Sequence, residues 1–470
     1  MNLTVEQEAC IQGAILGDGL KIKAFAGSGK TSTLAEIARN LKPKRGLYLA
    51  YNKSIQLEAK DKFPDNVDCK TSHSLAYNFC KYLLTGRFIR PTKVDDLMKI
   101  GCRTVDLARE AIKLINKFVQ TDNDLSYFEP IDLNDKIYLT TEEYEADAVK
   151  EYIKNIAYEF WQKTTTHGST LPIGHDIYLK LYQLSNPDLS KIYDFILFDE
   201  CQDANPVLLD IVSKQTCQNI YVGDEHQQIY GWRGAINAFS KINGAEFYLS
   251  KSFRFGTEIE DLANMVLSIK GEEKKLFGND KINTQVVLVL DTKLPYTVLC
   301  RKNETVIDTV LNNLDKRIHV VGSMKDTLNL LISGYALLKE DFKNVTYSAL
   351  KQFKSWDDMV NHHDNSEDKD RDITLLVNFV DKYKNDLAKT LSKLQNSCHV
   401  SEKEADIIIS TIHKSKGREW DSVLVENDFN ISEKTSDEEW NLLYVAITRA
   451  QKYLCMKGNL VTDIRNIYIK

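Results

Sequence analysis

No two of the nine cysteines stand in a C-x-x-C spacing, and their number is odd. Neither a zinc nor an iron–sulfur site is therefore expected. The cysteines read as reduced, mostly buried small apolar side chains of a cytosolic or nuclear protein. No apolar run approaches the ~20 residues that cross a bilayer, and no basic segment leads into an apolar stretch near Met1, so neither a membrane segment nor a secretory leader is expected. There is no general basic coat either. The net charge of −6 means that any nucleic acid would be gripped in a local groove, without strong non-specific adhesion. No internal repeat is found beyond two non-identical α/β halves. The polar run Asn361 to Asp368 reads as an exposed loop, and its pair His362-His363 has no metal role.

What is present is ordinary in bulk and specific in detail. With 43% hydrophobic and 27% charged residues the composition is that of a soluble globular protein, and 470 residues exceed what one core usually supports, so two or more domains are expected. Residues 24–31 read Ala-Phe-Ala-Gly-Ser-Gly-Lys-Thr, after the alternating run Leu20-Lys21-Ile22-Lys23 and before a helical pattern with Leu34, Ile37, Ala38 and Leu41 on one face. Strand, glycine loop and helix in that order form a P-loop. Gly27 and Gly29 let backbone N–H groups approach phosphate oxygens, and the helix N-terminus adds its positive dipole end. Lys30 would reach the β- and γ-phosphates and Thr31 would ligate Mg²⁺, while Ala26, Ser28 and Ser32 complete the ATP-binding loop. Ala24 stands where the first glycine of the motif usually sits.

A second cluster supplies the other half of a hydrolysis site. Tyr193 to Phe198 is a short, mostly apolar strand of the kind buried in a parallel sheet, ending in Asp199-Glu200-Cys201-Gln202-Asp203. Carboxylates at a strand's C-terminal edge point into the crevice where ligands bind in open α/β folds. Asp199 would hold Mg²⁺, and Glu200 would orient and deprotonate the attacking water. Read alone, the run has a solvated acidic turn closing a strand as its lesser, competing reading; Lys30 and Thr31 upstream weigh further for the site.

Asp-Glu-x-Gln-Asp is followed by Val222-Gly223-Asp224-Glu225-His226-Gln227-Gln228-Ile229-Tyr230-Gly231-Trp232-Arg233. Next come Ser252-Phe253-Arg254-Phe255-Gly256, Thr411-Ile412-His413-Lys414-Ser415-Lys416-Gly417-Arg418-Glu419-Trp420 and Leu443-Tyr444-Val445-Ala446-Ile447-Thr448-Arg449-Ala450. These ordered blocks resemble the UvrD/Rep family of superfamily 1 DNA helicases. Tyr51-Asn52-Lys53-Ser54-Ile55, His175-Asp176-x-Tyr178-Leu179-Lys180-Leu181 and Glu438-Glu439-Trp440-Asn441 are most similar to the helicase part of the F-box DNA helicases. The chain begins a few residues before Gln7 with no F-box ahead of the motifs, so that relative's ubiquitin-ligase role is not carried over.

The resemblance implies the remaining roles. Gln7 would read the adenine edge, against a plain exposed glutamine at a helix start. Phe253 would stack on adenine, against a core phenylalanine, and Glu419 would bond the ribose. Gln227 would sense the γ-phosphate. Arg254 and Arg449, both in the second motor domain, would be transition-state cations, so that hydrolysis needs interdomain closure. Tyr230, Trp232 and Arg233 would stack and hold single-strand bases, with a core tryptophan as the competing reading of Trp232. Asn52, Thr71, His73, Arg301, Asn303, Thr411 and His413 match backbone-contacting positions, although His73 and His413 read alone are ordinary hydrogen-bonded histidines.

The implied architecture is α/β, with two RecA-like parallel-sheet motor domains and inserted, mainly helical subdomains. Residues 1–80 and 180–250 would form domain 1A, 81–179 the inserted subdomain 1B, 251–325 and 403–470 domain 2A, and 326–402 a small subdomain 2B. Lys457-Gly458-Asn459-Leu460 reads as a tight turn between short strands. With about twenty residues after Arg449, the duplex-splitting hairpin of larger relatives is expected to be reduced, so translocation is better supported than processive unwinding. The expected enzyme is a monomeric, ATP- and Mg²⁺-dependent single-stranded DNA translocase and helicase moving 3′ to 5′, acting at single/double-strand junctions in repair, recombination or replication. The rival is an ATP-gated module that remodels DNA-bound proteins or licenses a partner nuclease without unwinding. A fused nuclease is disfavoured because no Asp…Glu-x-Lys cluster follows Arg449, and a dead scaffold is opposed by the intact Lys30, Glu200, Arg254 and Arg449 set.

Overall fold

The computed structural model describes residues 3–50, 52–125, 143–231, 238–365, 369–397 and 399–469. It divides into two compact units, Met1–Ser250 and Lys251–Lys470, each built on one six-stranded parallel sheet. In the first, β1 (Leu20–Ala24), β2 (Gly46–Ala50), β3 (Val67–Thr71), β4 (Phe195–Phe198), β5 (Gln218–Gly223) and β6 (Ala245–Leu249) lie in the order β3-β2-β4-β5-β1-β6. In the second, β7 (Gln285–Val287), β8 (Tyr296–Cys300), β9 (Ile318–Val320), β10 (Ile407–Thr411), β11 (Trp420–Val425) and β12 (Ala450–Met456) lie in the order β7-β12-β11-β8-β10-β9.

The strand sequences account for this. Parallel strands are covered by helices on both faces, so they read as near-continuous apolar runs. Every residue of β2, β4, β8 and β10 is buried accordingly. Alternation sorts their side chains between two cores. Tyr48, Phe195 and Leu197 join Leu20, Ile22, Leu34 and Ile37 on one face of the first sheet. Leu47, Leu49, Ile196 and Phe198 meet Phe118, Phe160 and Trp161 of the inserted helices on the other.

Those inserted helices include Val105–Phe118, Glu143–Thr165 and His175–Leu184. Phe118 meets Trp161 edge-on at 5.2 Å between ring centroids. Lys180 is fully buried, and its ammonium donates to the carbonyls of Thr121 and Asn123 and to Gln183 Oε1. A buried cation is tolerable only when its donors are satisfied in this way. The two backbone carbonyls, of Thr121 and Asn123, therefore clasp the helix His175–Leu184 to the segment that follows Phe118.

In the second unit, the helices Lys325–Leu338, Trp356–Asp364, Arg371–Tyr383 and Leu387–Gln395 pack together. Gly334 lets the helix Lys325–Leu338 approach the helix Arg371–Tyr383 closely, because a Cβ there would lie 2.2 Å from Leu376 Cδ1. Two expectations are corrected. Residues 361–364 close the helix Trp356–Asp364 instead of forming a loop, because His363 is buried within the helical packing. Residues 366–368 lie outside the described residues. The turn at Lys457–Asn459 leads from β12 into the helix Leu460–Ile469, not into a strand, since Leu460 and Ile464 recur at helical spacing and are both buried. Among the described residues, no helix is long and apolar enough to cross a membrane, and no cluster of acidic, histidine or cysteine side chains could hold a metal by itself.

Candidate nucleotide and nucleic-acid sites at the sheet edges

In the first unit, the sequence-predicted residues gather along the C-terminal edge of the sheet. β1 ends at Ala24 and the chain curls through Gly27 (φ 73°) and Gly29 (φ 79°) into the helix Lys30–Asn40. Both glycines are left-handed, a conformation that costs a side-chain-bearing residue about 1 kcal/mol or more and lets successive amides face one concavity. Gly29 caps the helix without a side-chain bond, so no side chain competes for its N-terminal amides. Ala26 and Ser28 are buried, with Ser28 Oγ donating to Phe25 O, whereas Ser32 is exposed.

Beside the loop, β4 delivers the carboxylates. Thr31 Oγ1 donates to Asp199 Oδ2 at 3.2 Å, and Lys30 Nζ stands 3.5 Å from Glu200 Oε1. Asp199 Oδ2 also accepts from the hydroxyl of Tyr48 at 2.7 Å, and Oδ1 accepts from the Glu200 amide at 2.9 Å. Burial, and then the adjacent Glu200 charge, push the Asp199 acid up to about 6; Lys30 and the Tyr48 hydroxyl pull against that rise. Burial, with Asp199 next, also drives the Tyr48 phenol well above its ordinary value, so it stays a donor. Glu200 itself is left-handed (φ 52°, ψ 40°). Such backbone costs about 1–3 kcal/mol in a non-glycine residue and persists where the surroundings enforce it. The donor set fits a phosphate-bound Mg²⁺. Hard oxygens of Thr31 and Asp199 converge on each other, a cation stands next to them, and the left-handed glycines shape an anion cradle.

Gln7 is buried, so the exposed-glutamine reading is overturned. Its Oε1 accepts from Thr4 N at 3.0 Å and its Nε2 donates to Thr33 Oγ1 at 3.0 Å. Gln227 follows β5, is buried, and donates to Asp224 Oδ2 at 2.6 Å. Tyr230 is half-buried beyond it. Trp232 and Arg233 lie outside the described residues. Asn52 follows β2, Thr71 ends β3 and His73 follows it, all on the same edge. Asn52 Oδ1 and Thr71 Oγ1 cap the helices after them, and His73 is half-exposed with Nε2 3.5 Å from Asp176 Oδ1.

The second unit divides its predicted residues between opposite sheet edges. Those assigned to nucleotide lie at the N-terminal edge. Arg254 donates from Nε to Glu419 Oε2 at 2.6 Å and from Nη1 to the Thr448 carbonyl at 3.0 Å. Glu419 directly precedes β11 and Arg449 directly precedes β12. Arg449 is 1% exposed and folds over the carbonyls of Val445 (2.9 Å) and Arg418 (3.1 Å). Phe253 is 43% exposed, which overturns the core reading of this ring.

Residues assigned to DNA lie at the C-terminal edge. Asn303, Thr411, Ser323 and Lys414 line one small pocket beyond β8, β9 and β10. Half-exposed His413 sits in the short helix capped by Thr411 Oγ1. Arg301 is turned away into a two-oxygen pair with Glu439, at 2.8 and 2.9 Å. A cavity of about 960 Å³ that includes His319, Asn329, Gln395 and His399 shares Val320, Ser323 and Met324 with the pocket and holds none of the predicted residues. Sequence reasoning passed over Tyr48, Ser323 and Lys414. Tyr48 was detectable as the one polar-tipped side chain in an otherwise aliphatic strand; Ser323 carries no signal of its own.

Known proteins show the same likeness. The family model described as UvrD-like helicase C-terminal domain matches residues 29–459. F-box DNA helicase 1 of Gallus gallus is 31% identical over 98% of this chain and 49% of its own length. F-box DNA helicase protein 1 of Schizosaccharomyces pombe is 31% identical over 97% of this chain and 58% of its own. The probable DNA helicase II homolog of Mycoplasma genitalium is 23% identical over 95% and 83%. The chain thus spans about half the length of the two F-box relatives. With both parallel sheets present and the family match running from the P-loop to beyond Arg449, the chain belongs to the UvrD-like helicase family.

Proposed function

We propose that this chain hydrolyses ATP to move 3′ to 5′ along single-stranded DNA and to open adjoining duplex. The convergence of Lys30, Thr31, Asp199 and Glu200 at one sheet edge carries the reading. Gly27, Gly29 and Lys30 would cradle the phosphates, Thr31 and Asp199 would hold Mg²⁺, and Glu200 would take the proton of the attacking water. The metal, when bound, neutralises charge on the phosphates. Gln7, Phe253 and Glu419 would select the nucleoside, Gln227 would sense the γ-phosphate, and Arg254 and Arg449 would stabilise charge on the transferred group. Asn52, Thr71, His73, Tyr230, Trp232, Arg233, Asn303, Thr411 and His413 would hold the strand. Arg301 would join them only on leaving Glu439. Its action on DNA is in keeping with the names of the relatives.

The test is ATP turnover with no polynucleotide, with single-stranded DNA and with RNA, followed by strand displacement on substrates with 3′ or 5′ overhangs. DNA should stimulate turnover, RNA should do so less, and only the 3′ overhang should support unwinding. Lys30→Ala should abolish hydrolysis; turnover within about threefold of wild type, a loss under 1 kcal/mol, overturns the site. Stimulation without displacement on either substrate would leave an ATP-gated remodelling module.

A further inference from the structure

Gln202 lies in the short helical turn Cys201–Asp203 after β4 and is completely buried. Its carboxamide spans two elements. Nε2 donates to Glu200 Oε2 at 2.6 Å, and Oε1 accepts from the backbone amide of Asp224, beyond β5, at 3.1 Å. The partners fix which end is which, because a carboxylate only accepts and a backbone N–H only donates. Asp224 continues the chain of contacts: Oδ2 accepts from Gln227 Nε2 at 2.6 Å and Oδ1 from His226 N at 3.0 Å. Space for the carboxamide comes from Gly223, where a Cβ would lie 2.2 Å from Gln202 Oε1 and 3.1 Å from Cys201 Sγ.

No other side chain of this length does both tasks. Glutamate would set a second carboxylate against Glu200, and methionine would take away both the donor to Glu200 and the acceptor for the buried Asp224 amide. We propose that Gln202 is a positioning residue that orients the Glu200 carboxylate and locks it in register with the segment 224–230. Movement of that segment, when Gln227 meets phosphate or Tyr230 meets a base, is thereby passed to the group that activates water. This rests on the roles proposed above for Glu200, Gln227 and Tyr230. Its physical content is a coupling free energy between the DNA-contacting segment and the hydrolysis site.

The test uses two variants that reach the same contact from opposite sides. Gln202→Met keeps length and removes both hydrogen bonds; Gly223→Ala leaves Gln202 in place and displaces its carboxamide. Turnover is measured with and without saturating single-stranded DNA, beside a thermal melt. In each variant the DNA-stimulated kcat should fall about ten- to a hundredfold, as for a misplaced catalytic group, with KM for ATP changed by less than about twofold. The ratio of stimulated to basal turnover should collapse towards one, and the double variant should be no worse than the poorer single. An unchanged kcat overturns the inference. So does a fall equal with and without DNA, or additive losses in the double variant. Absence of DNA stimulation in the wild type overturns the motor reading itself and this inference with it.

Discussion

The hydroxyl of Tyr48 on β2 donates to Oδ2 of Asp199 at the end of β4, 2.7 Å away, on the oxygen that Thr31 Oγ1 also approaches. β2 and β4 are paired neighbours, and Tyr48 is fully buried, so the phenol reaches the carboxylate from inside the sheet's own core. A proposed metal ligand is therefore oriented by an internal donor as well as by its own backbone.

Tyr48→Phe should test that orientation, because it deletes the donor and keeps the ring. Outer partners of metal-ligating groups typically change metal affinity by about 10- to 100-fold when removed. The Mg²⁺ concentration that half-saturates binding of a fluorescent ATP analogue should rise by about tenfold or more, while metal-free nucleotide binding changes little. An unaltered Mg²⁺ titration would leave Tyr48 a packing residue only.

Asp199 also predicts a pH dependence of stability. Its acid is raised from 3.8 to about 6, first by burial and then by Glu200. An acid weaker in the folded than in the unfolded state costs stability as it ionises. Nucleotide-free protein should therefore lose stability through this group as pH rises from 3.8 to 6, and stay at the lower level above that. Asp199→Asn should remove this dependence and stabilise the protein near neutral pH by about 1–3 kcal/mol, while hydrolysis is lost. Urea denaturation of both proteins across this range checks it; an asparagine variant that is less stable at neutral pH contradicts it.

Much of this was legible in the sequence, for a definable reason. The P-loop, the carboxylates after β4 and the segment after β5 each sit on a contiguous motif, and strand burial follows from apolar run length. β1 and β4 form where the runs Leu20–Lys23 and Tyr193–Phe198 lie, to within a few residues. Tertiary partnerships were not legible. Nothing local in Arg301 announces Glu439, 138 positions on, and the burial of Arg449 depends on carbonyls from two separate segments. The run at 361–364 misled because its polarity masks the one buried position, His363.

Arg254 is a cleaner probe of transition-state charge than Arg449. Arg449 is buried against carbonyls that its removal would strand, so Arg449→Ala would mix lost stability with lost catalysis. Arg254 keeps 15% of its side chain exposed and pairs with Glu419, which is itself half-exposed. Arg254→Ala should lower kcat by about 10³-fold or more, with a melting temperature within a few degrees of wild type and ATP affinity largely kept. Single-turnover hydrolysis beside equilibrium nucleotide binding separates these. Loss of affinity equal to the loss of rate would make Arg254 a ground-state binder.

Phe253 supplies the last test, because its exposure and its proposed role make opposite demands on one substitution. A core phenylalanine truncated to alanine costs about 3–5 kcal/mol of stability. A ring 43% exposed has far less packing to lose, so Phe253→Ala should leave the melt nearly unchanged. If the ring stacks on adenine, its removal should instead weaken ATP binding by about 1–3 kcal/mol, the scale of a base–aromatic stack. The loss should be recovered largely in Phe253→Tyr or Phe253→Trp, which restore a flat π-face without restoring the same shape. Equilibrium titration of ATP against the alanine, tyrosine and tryptophan variants reads this directly. Equal affinity in all three would take Phe253 out of the nucleotide site, whatever its exposure.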